Sequence, residues 1–280
     1  MPAPVSVVRE GHATFLKWHR ASRRAGDPVF TGKRILEGMA AGASVEVDLV
    51  VTGDKGFAVL HDLTLDRETT GTGPVAKTSD DIIRQLRLRH HDGTPLTEPV
   101  MLLDDLCTLL GAGDLHPDAL LQLDYKEDET VLDGRAIANF RRATLPVAGN
   151  MIVSSGSAAA VKLLTDAVPG MQIGFDPSDE KKFRAALAAG TLQAMVDDAL
   201  AVSPDADMIY LAWQIVTLSA DAGFDIVAAF HAAGKRVDAW TIQTIDAAGL
   251  AAVERLLSLK VDQITTDDPE GLVAALESRP

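Results

Sequence analysis

SVEVDLVVTGDKGFAVLHD, residues 44–62, alternates apolar Val45, Val47 and Leu49 with the carboxylates Glu46 and Asp48. Successive side chains of a strand point to opposite faces, so the two acids share one face. A strand with one wetted face shows the same alternation, so the pattern alone leaves a surface strand and a metal-binding strand both open. The continuation narrows the choice. Residues 53–56 form a polar, glycine-bounded turn, FAVL runs back as a second short strand, and His61 and Asp62 arrive at its end. Two acids and a histidine are thereby brought to one sheet edge.

Upstream, Ala13 to Trp18 reads as a strand that delivers His19 and Arg20, followed by a helix over 31–41 with Thr31 as its N-cap. Downstream, LDRETTGTGP marks a loop, Ser79 starts a helix with Asp80 and Asp81 in its first turn, and a further helix spans 102–110. The strand ALLQLDYK covers 119–126. Helices and strands then alternate: helix 133–143, strand 150–154, helix 157–167, strand 171–175, helix 179–189, strand 208–212, helix 221–233, strand 236–242, helix 246–258, strand 261–266 and a helix after Pro269. Strands that precede helices number eight, which predicts an α/β fold, a (β/α)8 TIM barrel, with an open doubly wound sheet as the alternative. The interval 63–118 is too long for one βα connection and implies a small insertion after the second strand. The expectation is one domain over 1–280, a usual length for such a barrel.

A net charge of −14 argues against a general affinity for nucleic acid or anionic membrane. No apolar run reaches membrane-spanning length, and the N-terminal residues lack the basic and apolar regions of a leader, which together predict a cytoplasmic protein without stable membrane insertion. The single cysteine, Cys107, lies in an apolar helical pattern and reads as core.

In a barrel, the C-terminal strand ends converge on one mouth. His19, Glu46, Asp48, His61, Asp124, Lys126, Trp240 and Asp267 all fall there. Glu46, Asp48 and Asp124 form an all-oxygen set suited to Mg²⁺ or Ca²⁺; equally, these acids can pair with Lys126 or Arg20 and hold no ion. His19 and His61 are candidates for general acid and base, Arg20 and Lys126 for contacts to a phosphate or carboxylate, and Trp240 for an apolar wall against a substrate alcohol. His12, His116 and His231 have no supporting pattern. Lys17, Arg20, Arg23, Arg24, Lys33 and Arg34, with Arg84, Arg87, Arg89, His90 and His91, are expected to form a positive funnel toward the mouth. There is no P-loop, GxGxxG, CxxC or HExxH.

WHRAS, the block from Val45 to Gly73, LQLDYK, DAWTIQT and VDQITTDDPE stand in the order and spacing of the glycerophosphodiester phosphodiesterase family. The chain resembles that family over nearly its whole length, residues 127–235 by rhythm alone. The resemblance implies a metal-dependent barrel of lipid metabolism that cleaves glycerophosphodiesters to glycerol 3-phosphate and an alcohol. It implies His19 and His61 as the acid and base pair, Arg20 and Lys126 as phosphate contacts, Glu46, Asp48 and Asp124 as metal ligands, and 63–118 as a cover for the mouth. Ala21 replaces the family's usual glycine, Val29 and Phe30 a polar pair, and Asp124 the more usual glutamate. Alternatives are a lyase of the sphingomyelinase D type that stops at a cyclic phosphate, and a non-catalytic phosphodiester-binding barrel.

Overall fold

The computed structural model describes residues 3–278. The strands of the barrel are His12–Trp18 (β1), Ser44–Val51 (β2), Leu120–Tyr125 (β3), Met151–Ser154 (β4), Gln172–Phe175 (β5), Met208–Ala212 (β6), Arg236–Ile242 (β7) and Gln263–Thr266 (β8). Each pairs in parallel with the next, and β8 pairs in parallel with β1. That last pairing closes the sheet and excludes the open, doubly wound arrangement.

All of β2 is buried. Val45, Val47 and Leu49 join the apolar core, where helix Gly32–Ala41 passes so close that a Cβ on Gly38 would meet Val45 at 2.6 Å. Burying such side chains stabilises the fold by roughly 1.5–3 kcal/mol each, which offsets part of the cost of placing carboxylates inside. Glu46 and Asp48 take the opposite face, toward the barrel axis. Register sets their neighbours: Glu46 lies beside Gln122, Asp48 beside Asp124, and Asp124 beside Ser154.

After β2, strand Phe57–Val59 runs back antiparallel to it, Leu49 opposite Val59, so the chain returns to the mouth at His61. The interval 63–118 then holds a short helix, Asp80–Gln85, a hairpin of Arg87–Arg89 with Pro95–Pro99, and helix Leu103–Gly111. That last helix packs between helices Gly32–Ala41 and Gly134–Thr144 as part of the barrel's outer ring. Cys107 is buried in it, as expected.

Two expectations need correction. A single helix over 221–233 is absent; helices Trp213–Asp221 and Ile226–Ala232 stand there instead. Gly223 takes φ +83°, ending the first, and Asp225 accepts the N–H of Ala228 at 2.9 Å, starting the second. Thr31 occupies its N-cap position, but its side chain makes no cap hydrogen bond. Helix Leu192–Val202 and strand Ser6–Arg9, which pairs antiparallel with β1, were not anticipated. No single helix among the described residues is long and apolar enough to cross a membrane.

Candidate active site

The C-terminal strand ends open into a pocket of about 320 Å³ whose wall includes His19, Arg20, Glu46, His61, Asp124, Lys126 and Trp240. Asp48, the remaining residue expected from sequence, is fully buried, with a carboxylate oxygen within 4.8 Å of those of Glu46 and Asp124.

The trio meets two cations. Lys126 Nζ lies 2.6 Å from Asp48 Oδ1 and 2.5 Å from Asp124 Oδ2, and Arg20 Nε lies 3.3 Å from Asp48 Oδ2. Neither approach to Asp48 has hydrogen-bond geometry, and both of its oxygens are left without a hydrogen bond. Asp124 is better served, since Ser154 Oγ donates to its Oδ1 at 2.6 Å. Burial, and then the neighbouring Glu46, push Asp48 up to about 7; burial likewise raises Glu46. Burial opposes the charge of Lys126, but Asp124, Asp48 and Glu46 outweigh it and raise its pKa.

The turn after β1 explains how Arg20 reaches this cluster. Arg20 and Ala21 both adopt left-handed backbone conformations, φ +50° and +61°, at a cost of roughly 1–2 kcal/mol each for residues bearing a Cβ. The turn aims the Arg20 N–H at Glu46 Oε2, 2.7 Å away. Ala21, where the resembled family usually has glycine, therefore keeps the glycine-like conformation.

Each histidine is held by a carboxylate. His19 Nδ1 lies 2.5 Å from Asp267 Oδ1, beyond β8, and His61 Nδ1 lies 2.9 Å from Asp62 Oδ1. An ionised carboxylate only accepts, so Nδ1 carries the proton in both rings and Nε2 is left for the pocket. Arg67 grips Asp62 with two hydrogen bonds of 2.6 Å and, together with His61, lowers it to about 2. Buried Glu68 accepts the backbone N–H groups of His61 (2.9 Å) and Asp62 (3.1 Å), locking the segment that carries the ring.

Deeper in the barrel, Lys17 donates to Gln122 and pairs with Asp238 at 3.0 Å, and both charged side chains are shut off from solvent. Gln122 Nε2 donates to Ser154 at 2.7 Å and Thr265 to Asp238 at 2.8 Å, so the network runs up to Asp124. Tyr210 and Asp176 also line the pocket, and burial pushes Asp176 up to about 7.

Five of the cations expected to form a positive funnel are paired with acids instead. Lys17 points inward, Arg23 pairs with Glu37 and, at 2.7 Å, Glu270, and Arg24 pairs with Glu270 at 2.7 Å. Arg34 pairs with Asp27 (3.1 Å) and Glu37 (2.6 Å), and Arg84 with Asp104 (2.8 Å) and Asp105 (2.9 Å). Nearby acids neutralise these cations locally. Sequence reasoning placed Asp267 at the mouth without assigning it a task, and passed over Asp62, Arg67, Glu68 and Asp176 as site residues. Glu68 and Arg67 lie inside LDRETTGTG, where loop composition masked their roles.

A closed barrel whose mouth gathers two histidines, two cations and three carboxylates has the build of an enzyme site for an anionic substrate. The family model for glycerophosphoryl diester phosphodiesterases matches residues 34–271, and the chain belongs to that family. It is accordingly a phosphoric diester hydrolase. No curated protein matches it. Among solved structures it is similar to a glycerophosphodiester phosphodiesterase from Agrobacterium tumefaciens, at 22% identity over 95% of this chain and 100% of that one, with TM-score 0.64. It is also similar to an Oleispira antarctica phosphodiesterase in complex with the product sn-glycerol-3-phosphate, at 19% identity over 94% and 96% of the two chains, TM-score 0.64. A third, from Parabacteroides distasonis, shares 15% identity over 97% and 88%, TM-score 0.64.

Proposed function

We propose that the protein hydrolyses glycerophosphodiesters to glycerol 3-phosphate and an alcohol, using His19 and His61 as acid and base and one divalent cation, Mg²⁺ or Ca²⁺. The observation that carries this reading is the shared pocket, in which both histidines, Arg20, Lys126 and the acids Glu46 and Asp124 face one space. The product bound to the Oleispira antarctica relative supports the choice of substrate.

Glu46, Asp48 and Asp124 would hold the ion. Support comes from Asp48, whose buried oxygens lack hydrogen bonds although two cations stand beside them, and from an all-oxygen donor set that suits a hard cation. When bound, such an ion supplies positive charge against the phosphate oxygens. Arg20 and Lys126 orient the phosphate and share in neutralising it. One histidine withdraws a proton from the nucleophile, which is water or a neighbouring glycerol hydroxyl whose cyclic phosphodiester water then opens, and the other hands a proton to the departing alkoxide. Trp240 walls the alcohol side.

The test is release of glycerol 3-phosphate from a glycerophosphodiester with and without EDTA, for the parent, His19→Ala and His61→Ala. Each variant is expected to lose roughly 10²-fold or more in kcat while keeping divalent-ion affinity by calorimetry. Near-parental turnover in either variant removes that histidine from the chemistry, and full activity in EDTA removes the ion.

A further inference from the structure

The side of the pocket formed by β5, β6 and β7 faces away from the carboxylates of β2 and β3, and it carries polar groups with no partner. Tyr210 is almost fully buried, and its hydroxyl makes no hydrogen bond; the indole N–H of Trp240 is buried and equally unmatched. The Tyr210 ring occupies space that only a glycine on β5 leaves free, since a Cβ on Gly174 would lie 2.6 Å from it. Asp176, just past β5, is fixed by its own N–H to Ser155 O (3.1 Å) and by accepting the Ser178 N–H at 2.8 Å. Ser178 Oγ accepts the N–H of Ala212, 3.1 Å away, which ties the turn to β6. Asp176 keeps part of its surface open, and no ion pair engages it among the described residues. All three side chains line the pocket that holds His19 and Arg20.

Leaving buried donors unmatched is costly, and the polar network beneath the pocket avoids it: Lys17, Gln122, Ser154, Asp124, Thr265 and Asp238 bond one another. Two unmatched donors and a partly open carboxylate on the wall of one pocket are complementary to hydroxyl groups, which accept from one neighbour and donate to another. An alkyl alcohol would leave all three unmatched. A quaternary ammonium would meet the Asp176 charge and the ring faces but leave the Tyr210 hydroxyl and the Trp240 N–H unmatched.

We propose that Asp176, with Tyr210 and Trp240, forms the subsite for the alcohol arm of the diester and selects alcohols that carry hydroxyl groups, such as polyols. This rests on the hydrolytic reading above and assigns the specificity that reading leaves open. Asp176 is the specificity-determining residue of the set.

The experiment keeps the glycerol half constant and varies the alcohol: glycerophosphoglycerol, its propyl counterpart without those hydroxyls, and glycerophosphocholine. The parent is expected to favour glycerophosphoglycerol over the propyl ester by about 10-fold or more in kcat/KM, because a site built to bond a hydroxyl rejects the analogue lacking it. Asp176→Ala should bring that ratio toward one, and Tyr210→Phe should lower it in part. Asp176→Asn, which can still accept the Ser178 N–H, guards against a collapsed turn and should also lower the ratio. Equal parental rates on the glycerol and propyl esters, an undiminished ratio in Asp176→Ala, or a preference for choline that depends on Asp176 would each overturn the proposal. Saturation-transfer NMR on the same esters reads binding without turnover. Asp176-dependent binding of the hydroxylated ester with no hydrolysis would keep the subsite and reject the hydrolytic reading, whereas hydrolysis with no dependence on Asp176 would do the reverse.

Discussion

Asp267→Asn isolates what the carboxylate does for His19. The contact is 2.5 Å from Nδ1 to Oδ1, and the Asp267 side chain is 34% exposed. A hydrogen bond to a charged group contributes about 1.5–3 kcal/mol against about 0.5–1.5 for a neutral pair, so loss of charge alone removes about 1 kcal/mol. Solvent screening at this exposure keeps that value at the low end, a factor of about 5 in rate. The amide brings a second effect: it can turn its NH₂ toward Nδ1, which places the ring proton on Nε2 and removes the tautomer that the carboxylate holds. The corresponding exchange beside the histidine of serine proteases costs about 10⁴ in kcat. For a pair this open to solvent we expect roughly 10²-fold in kcat, with KM changed little. Release of glycerol 3-phosphate measures it, and the melting temperature checks that the fold survives. Asp267→Ala, which offers no competing donor, should be less damaged than Asp267→Asn. Parental kcat in Asp267→Asn, or a loss confined to KM, would refute the orienting role.

Asp62 has its carboxyl lowered from 3.8 to about 2, so it stabilises the fold above pH 3.8 and that contribution disappears as pH falls toward 2; with solvent screening around the exposed Arg67, Asp62→Asn should lose about 1 kcal/mol at pH 7 and show a shallower acid branch in urea titrations. A variant as stable as the parent at neutral pH would contradict this. Asp48 is shifted the other way, from 3.8 to about 7, so the folded state keeps a proton that the unfolded chain releases, and metal-free stability falls as pH rises through that window. In EDTA, Asp48→Asn should therefore melt above the parent at pH 8 and level with it near pH 4, while calorimetry finds weakened Mg²⁺ and Ca²⁺ binding; identical melting at pH 8 would reject the buried-charge account. Lys17→Met strands the buried carboxylate of Asp238 and should cost about 3–5 kcal/mol, much of it recovered by adding Asp238→Leu. Denaturant unfolding decides, and a double variant no better than the single one would show that the pair does not act as a unit.

The fold was legible because β2 announces itself by period and because strands and helices alternate over most of the chain. The mouth was legible by a geometric rule: once a strand is placed, its C-terminal end has a location, and His19, Glu46, Asp124 and Trp240 follow from that. The partners were harder. Asp267 meets His19 across nearly the whole chain, and no local pattern reports such a contact. Lys17 was read as an entrance charge because β1, with Leu16, Lys17 and Trp18 all buried, has no clean alternation to show which way it faces. Tyr210 and Asp238 sit on strands where barrels ordinarily place aliphatic filling, and Asp176 follows a strand with no neighbouring pattern to mark it. The unread helix Leu192–Val202 follows its predecessor after only Gly190 and Thr191, too short a break to register as a boundary.

The seam between β1 and β8 also sets a timetable. Glu46, Asp48 and His61 lie within one short stretch and leave the ribosome together, but the partner of His19 arrives with Asp267, after the last strand. Synthesis proceeds from the N-terminus, so a growing chain carries its acids, its cations and both imidazoles for most of its production without the carboxylate that aligns one of them. Full competence is thus withheld until the final strand seats, and the protein's catalytic output doubles as a signal that its ring has closed.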